Sequence, residues 1–169
     1  MGLDKYFDNK DILDNQINFF IEKKQLRKIG QNKSLIASHI EKAKHNMAFF
    51  AINEKRSQFN DWLIVTLYYA LYHSALALVA NKNYTSKNHT ATLLFLIKFY
   101  ALSKDEIQLL DDLSIGKEDA ALYTELKYDR HNASYATKIL FTDETIKHYK
   151  KKVIDFIIKT EGMIEGNLY

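Results

Sequence analysis

Four side chains able to hold an anion or move a proton stand within six residues of one another in Tyr128-Asp129-Arg130-His131-Asn132-Ala133-Ser134-Tyr135: a fixed cation, an imidazole, an amide and a phenol. Guanidinium groups bind anions through forked hydrogen bonds, and imidazoles titrate near neutral pH. Taken alone, Arg130 beside Asp129 is an ordinary ion-pair partner. His131 is one step along the chain from Arg130, about 100° around a helix, so the two share a ligand only where a helix ends. Tyr135 has a phenol of ordinary pKa near 10, a weak base at neutral pH but able to stack on a base or donate to a phosphate.

Two further segments carry candidate groups. In Leu67-Tyr68-Tyr69-Ala70-Leu71-Tyr72-His73-Ser74-Ala75-Leu76-Ala77-Leu78, His73 lies in a very apolar stretch, where a hydrogen-bonded core histidine competes with a functional one. Tyr69 and Tyr72 are expected in the core, their hydroxyls tied to polar neighbours. In Ser86-Lys87-Asn88-His89, His89 sits in the first turn of the next helix, where an anion is favoured and where capping or packing is the alternative. Metal chemistry has little support. Glu144 and His148 are four apart, and His39, Glu41 and His45 share one helix, yet the paired Glu-x-x-His motifs of di-iron bundles are missing, so a solvated face is expected. Lysines 147 and 150–152 read as solvation too. No Gly-rich phosphate loop or nucleophile elbow occurs.

The elements that must position these groups are helices. Proline is absent and glycine occurs only at 2, 30, 116, 162 and 166, so long segments lack breakers. A first helix is expected from about 11 to 28, with Leu13, Ile17, Phe20 and Ile21 on one side and a stop near Gly30. A second follows Ser34 with the stripe Ile36, Ile40, Ala43, Met47 and Phe50. The third, roughly 60–80, is apolar on every side and belongs in the middle of a bundle. Residues 81–85 read as a loop, with Ser86 capping a helix through Leu93, Phe95, Ile97 and Tyr100. Ser103 and Glu106 have capping-box spacing for a short helix ending by Gly116. The stretch 118–139 is less regular. Thr142 caps a last helix with the stripe Ile146, Tyr149, Val153, Phe156 and Ile157, its lysines toward water. Strand signals are poor. The expected fold is all-α: an up-and-down bundle of about five or six helices with an extra N-terminal helix. Residues 1–33 form a helical extension and 34–169 the bundle, as a single compact domain overall.

Composition limits the rest. The 169 residues, 47% hydrophobic and 13% aromatic, supply one substantial core, and a formal charge of +3 is too mild to mark a nucleic-acid binder, so any basic surface must be local. The absence of cysteine removes disulfides, thiolate metal sites and cysteine nucleophiles. The first residues lack the pattern of a signal peptide, and no run approaches the roughly 18 apolar residues of a membrane span, so a cytoplasmic protein without a membrane partner is expected.

In order and spacing, the three segments resemble the landmarks of the HEPN superfamily: Tyr68-Tyr69-Ala70 opening a central helix with a further aromatic and His73, Ser86-Lys87-Asn88-His89 opening the next, and Arg130 with Ala133 and Tyr135 downstream. The similarity covers about residues 34–158. It implies a helical bundle that forms a homodimer and, in active members, cuts RNA without a metal or other cofactor. Arg130 would then grip the scissile phosphate and His131 or Tyr135 would handle protons. Asn132, Lys87, His89, His73 and Tyr69 are the accompanying candidates for RNA or nucleotide contacts. The chain departs from the family in having Ser134-Tyr135-Ala136 where catalytic members carry histidine. That departure keeps open a second implied role: a non-catalytic interaction or nucleotide-binding module paired with a minimal nucleotidyltransferase antitoxin, with Tyr135 as the tyrosine such a partner would modify.

Overall fold

The computed structural model describes residues 3–55, 60–114 and 141–166. Along those residues run α1 (Asp4–Asp8), α2 (Lys10–Glu22), β1 (Leu26–Lys28), α3 (Lys33–Asn53), α4 (Asn60–Asn81), β2 (Tyr84–Ser86), α5 (His89–Tyr100), α6 (104–114) and α7 (Asp143–Glu165). The architecture is an all-α bundle, as the breaker-free sequence implies.

α4 is the central element. Fourteen of its 22 residues are buried, with α3, α5, α7 and β2 packed around it, while Trp62 and Tyr69 mark a strip left toward solvent. A sequence apolar all round has no face to give to water, so it is stable only when enclosed. By length and composition α4 is also apolar enough to cross a membrane, although most of it is buried inside the protein. Thr66, His73 and Ser74 interrupt its apolar run without adding charge, so no unbroken apolar stretch of that length stands in the sequence. Phe50, Leu67, Leu71, Leu78, Leu93, Leu94, Phe95 and Leu96 form the dry centre, and Leu3, Tyr6, Leu13, Ile17, Phe20 and Leu26 belong to the same core.

The helix starts follow local chemistry. Asn9, Asn32, Asn88 and Thr142 each accept a backbone N–H three residues on, from Ile12, Leu35, Ala91 and Thr145. Ser103 and Glu106 form the expected capping box, with Ser103 N–H donating to Glu106 Oε2 at 2.9 Å and Glu106 N–H to Ser103 Oγ at 3.3 Å.

Four local expectations need correction. α2 ends at Glu22 instead of running to 28: Lys24 adopts a left-handed conformation (φ 56°), while Gln25 N–H donates to Phe20 O and Lys24 N–H to Ile21 O, a closing motif usually made by glycine. The released chain forms β1, which pairs antiparallel with β2 in the register Leu26↔Ser86, Arg27↔Thr85 and Lys28↔Tyr84, where a loop was expected. Three-residue strands are too short to show alternation. Ser86 does not cap α5; its Oγ donates to Asn88 O and accepts from Thr92 Oγ1, leaving the cap to Asn88. Lys150 turns inward to Glu54 and over the Phe50 ring instead of toward water.

Leu67→Ala is expected to lower unfolding free energy by about 2–5 kcal/mol in urea titrations, since Leu67 is fully buried in the central helix. Ile52→Ala, at a side chain 73% exposed, should change it by less than about 0.5 kcal/mol in the same assay.

Candidate functional site

The start of α5 gathers more chemistry than any other described place. β2 leads straight into it, and Ser86, Asn88 and Thr92 fix the turn: Thr92 Oγ1 donates to Ser86 Oγ at 2.9 Å and lies 3.0 Å from Asn88 O. His89, the first residue of α5, is thereby held with its ring 5.7 Å from Tyr72 and 6.1 Å from Tyr68, and those two tyrosines stack at 5.5 Å with 11° between planes. His89 Nε2 lies 3.8 Å from Asp111 Oδ1, both side chains largely withdrawn from solvent at 23% and 13% exposure. A carboxylate so placed balances an imidazolium whenever the ring takes a proton. Burial raises the pKa of Tyr72, against the weaker effect of its 3.4 Å contact with Thr92, so its phenol stays protonated across the neutral range.

Asp111, which stands beside Asp112, matches none of the motifs that single out the other candidates. Its position carried a signal nonetheless. Ile107, Leu110, Asp111 and Ser114 recur at helical spacing and all are buried, so Asp111 falls on the inward face of α6.

His73 serves a different side of α4. Its Nδ1 lies 3.0 Å from Nδ1 of His39 on α3, with ring centroids 5.3 Å apart. One ring must carry the Nδ1 proton and the other offer a lone pair. Burial pushes both pKa values below the ordinary histidine value, and for His73 the charges of His39 and Lys42 act in the same direction. His39 was expected on a solvated face. It and His73 stand at nearly equal distances in sequence from the facing ends of α3 and α4, as an antiparallel helix pair requires.

Tyr69 corrects another expectation: it is 41% exposed instead of core, packed edge-on against Tyr68 at 5.2 Å. It belongs to a strip of α4 with Trp62, 51% exposed, and Leu76, seven residues to either side. The register that sets His39 on His73 puts Phe49, itself 50% exposed, level with Trp62. Lys87 is exposed in the link between β2 and α5, its backbone N–H donating to Gln25 O at 2.8 Å. Arg130, His131, Asn132 and Tyr135 lie outside the described residues. Among the described residues no group of three or more His, Asp or Glu side chains is placed to hold a metal ion. No known family model matches the chain, and no curated protein matches it either.

The histidine pair sets a pH dependence. Both folded-state pKa values lie below 6.5, so between them and 6.5 the unfolded chain binds more protons, and the stability present above 6.5 is lost as pH falls through the folded values. Glu106 enters only below 4.5: burial opposes its ionisation, but hydrogen bonds from Lys159 and Ser103 prevail and lower its pKa. Urea unfolding at pH 7.5 and 5.5 should therefore show a loss of stability on acidification. That loss should shrink in His39→Gln.

Proposed function

We propose that the protein binds RNA at a cleft formed by two copies of the chain and cleaves it by metal-independent transesterification, in the manner of HEPN ribonucleases acting in toxin-antitoxin or defence systems. The observation that carries this reading is His89 beside Asp111 against the Tyr68–Tyr72 stack. The Arg130 segment lacks a histidine at 134–136, and His89 offers the proton carrier missing there. In this reaction imidazole takes the proton of the ribose 2′-OH, whose oxygen attacks phosphorus. The 5′-oxygen leaves with a proton from the imidazolium, giving a 2′,3′-cyclic phosphate. Arg130 would stabilise the growing charge on the phosphoryl oxygens through forked hydrogen bonds. An exposed tyrosine such as Tyr69 is suited to base stacking, and Lys87 to phosphate contact.

Dimerisation is supported by the strip of Trp62, Tyr69 and Leu76 with Phe49 beside it. Its seven-residue spacing suits a second helix laid along α4, and a two-fold axis would present the same strip from the other copy. The module reading, a non-catalytic partner of a minimal nucleotidyltransferase, is favoured by Ser134-Tyr135-Ala136 standing in place of histidine.

Incubation of purified protein with mixed RNA in EDTA decides between them. Cleavage to cyclic-phosphate ends is expected, reduced by about 10²–10⁴-fold in His89→Gln and abolished in Arg130→Ala. Cleavage at the wild-type rate in either variant sinks the assigned roles, and intact RNA with stable association to a nucleotidyltransferase supports the module reading. Light scattering should give twice the chain mass for the wild type and the single-chain mass for Trp62→Asp.

A further inference from the structure

The RNA reading leaves one arrangement unused. His39 and His73 aim their Nδ1 atoms at each other across 3.0 Å, both rings half-buried and both anchored in the interior of long helices. Among the described residues neither ring has another hydrogen bond, and the packing of α3 on α4 sets their separation in advance. We propose that this pair is a two-point chelate for a divalent transition-metal ion of borderline softness, Cu²⁺ or Ni²⁺ foremost, bound through both Nδ1 atoms with water in the remaining coordination positions. The site is independent of the RNA reading, which calls for no metal.

Metal–imidazole bonds of about 2.0–2.1 Å across this separation give a nitrogen–metal–nitrogen angle of about 94°. That is the angle between adjacent ligands in square-planar or octahedral coordination. A tetrahedral zinc ion would need the nitrogens about 3.3 Å apart, so the rings would have to separate by a few tenths of an ångström. Copper and nickel also bind imidazole more tightly than the earlier first-row ions.

The proton balance is simple. In the neutral pair one Nδ1 carries hydrogen, and on metal binding that hydrogen moves to Nε2 of the same ring, freeing both Nδ1 lone pairs without net proton release. The ion lies to one side of the line joining the nitrogens, so each ring pivots toward it. Lys42, one helical turn beyond His39, acts against a cation, but its side chain is exposed and its field is screened by water.

Chelator-stripped full-length protein, melted at pH 7.5 with and without excess NiCl₂, tests the site. The expected result is a Tm rise of several degrees with one ion bound per chain by calorimetry, retained in His45→Gln and His148→Gln and lost in both His39→Gln and His73→Gln. A rise that survives in the His39 and His73 variants, or no rise in the wild type, overturns the proposal. Should His73→Gln fail to fold, His39→Gln decides together with selective paramagnetic broadening of the two imidazole resonances by Cu²⁺, whose absence from those rings also overturns it.

Discussion

The enclosure of α4 is the constraint on which the rest of the structure depends. Its sequence leaves no polar face, and at roughly 25 cal/mol per Å² of apolar surface removed from water, each surrounding helix is held chiefly by what it covers there. The polar groups that remain in or beside it must then be satisfied from within. Thr66 and Ser74 donate to the carbonyls of Trp62 and Ala70 one turn back, and the Tyr100 hydroxyl donates to Leu78 O at 2.8 Å. At its start, the buried Asn60 amide spans to Phe141 O and Asp143 Oδ1, tying α4 to the start of α7.

The same helix sorts the candidate chemistry into two neighbourhoods. Tyr68 and Tyr72, four residues apart, present stacked rings to His89, while Tyr69 and His73, each one residue further on, are rotated by about 100° toward α3 and solvent. A run reading Tyr-Tyr-Ala-Leu-Tyr-His thus builds the wall of one site and the floor of another. Substitutions at adjacent positions are therefore expected to affect different neighbourhoods, the His89–Asp111 cluster on one side and the helical strip of Tyr69 on the other.

What could be read from the sequence follows from the range of the forces involved. Helix starts at Ser103 and Thr142, and the burial of most of α4, depend on residues within one or two turns, and the sequence shows them directly. The β1–β2 ladder joins segments about 58 residues apart, and three-residue strands carry no pattern of their own. Ser86 had the right residue type for a cap, but its hydroxyl was engaged by Thr92, which only the folded turn brings near. His39 against His73 and His89 against Asp111 are likewise tertiary meetings: each partner looked solvated or ambiguous alone, and only helix pairing made them neighbours.

The position of His89 shows how far such non-local contacts reach. The ring is carried at the very start of α5, so its direction depends on the residues immediately before it, and these are not part of the helical bundle. Leu26, fully buried, pairs with Ser86; Gln25 O receives Lys87 N–H; Ile29 N–H donates to Asn83 O, beyond the other end of β2. The N-terminal segment thus grips the turn that aims His89, although its sequence reads as an addition to the bundle. Packing of α5 on α4 fixes the plane in which the imidazole can lie, while the β1–β2 ladder fixes where along α4 it begins. Its distance from Asp111 then depends on both at once, so the geometry of the proposed proton carrier is tied to residues with no chemistry of their own.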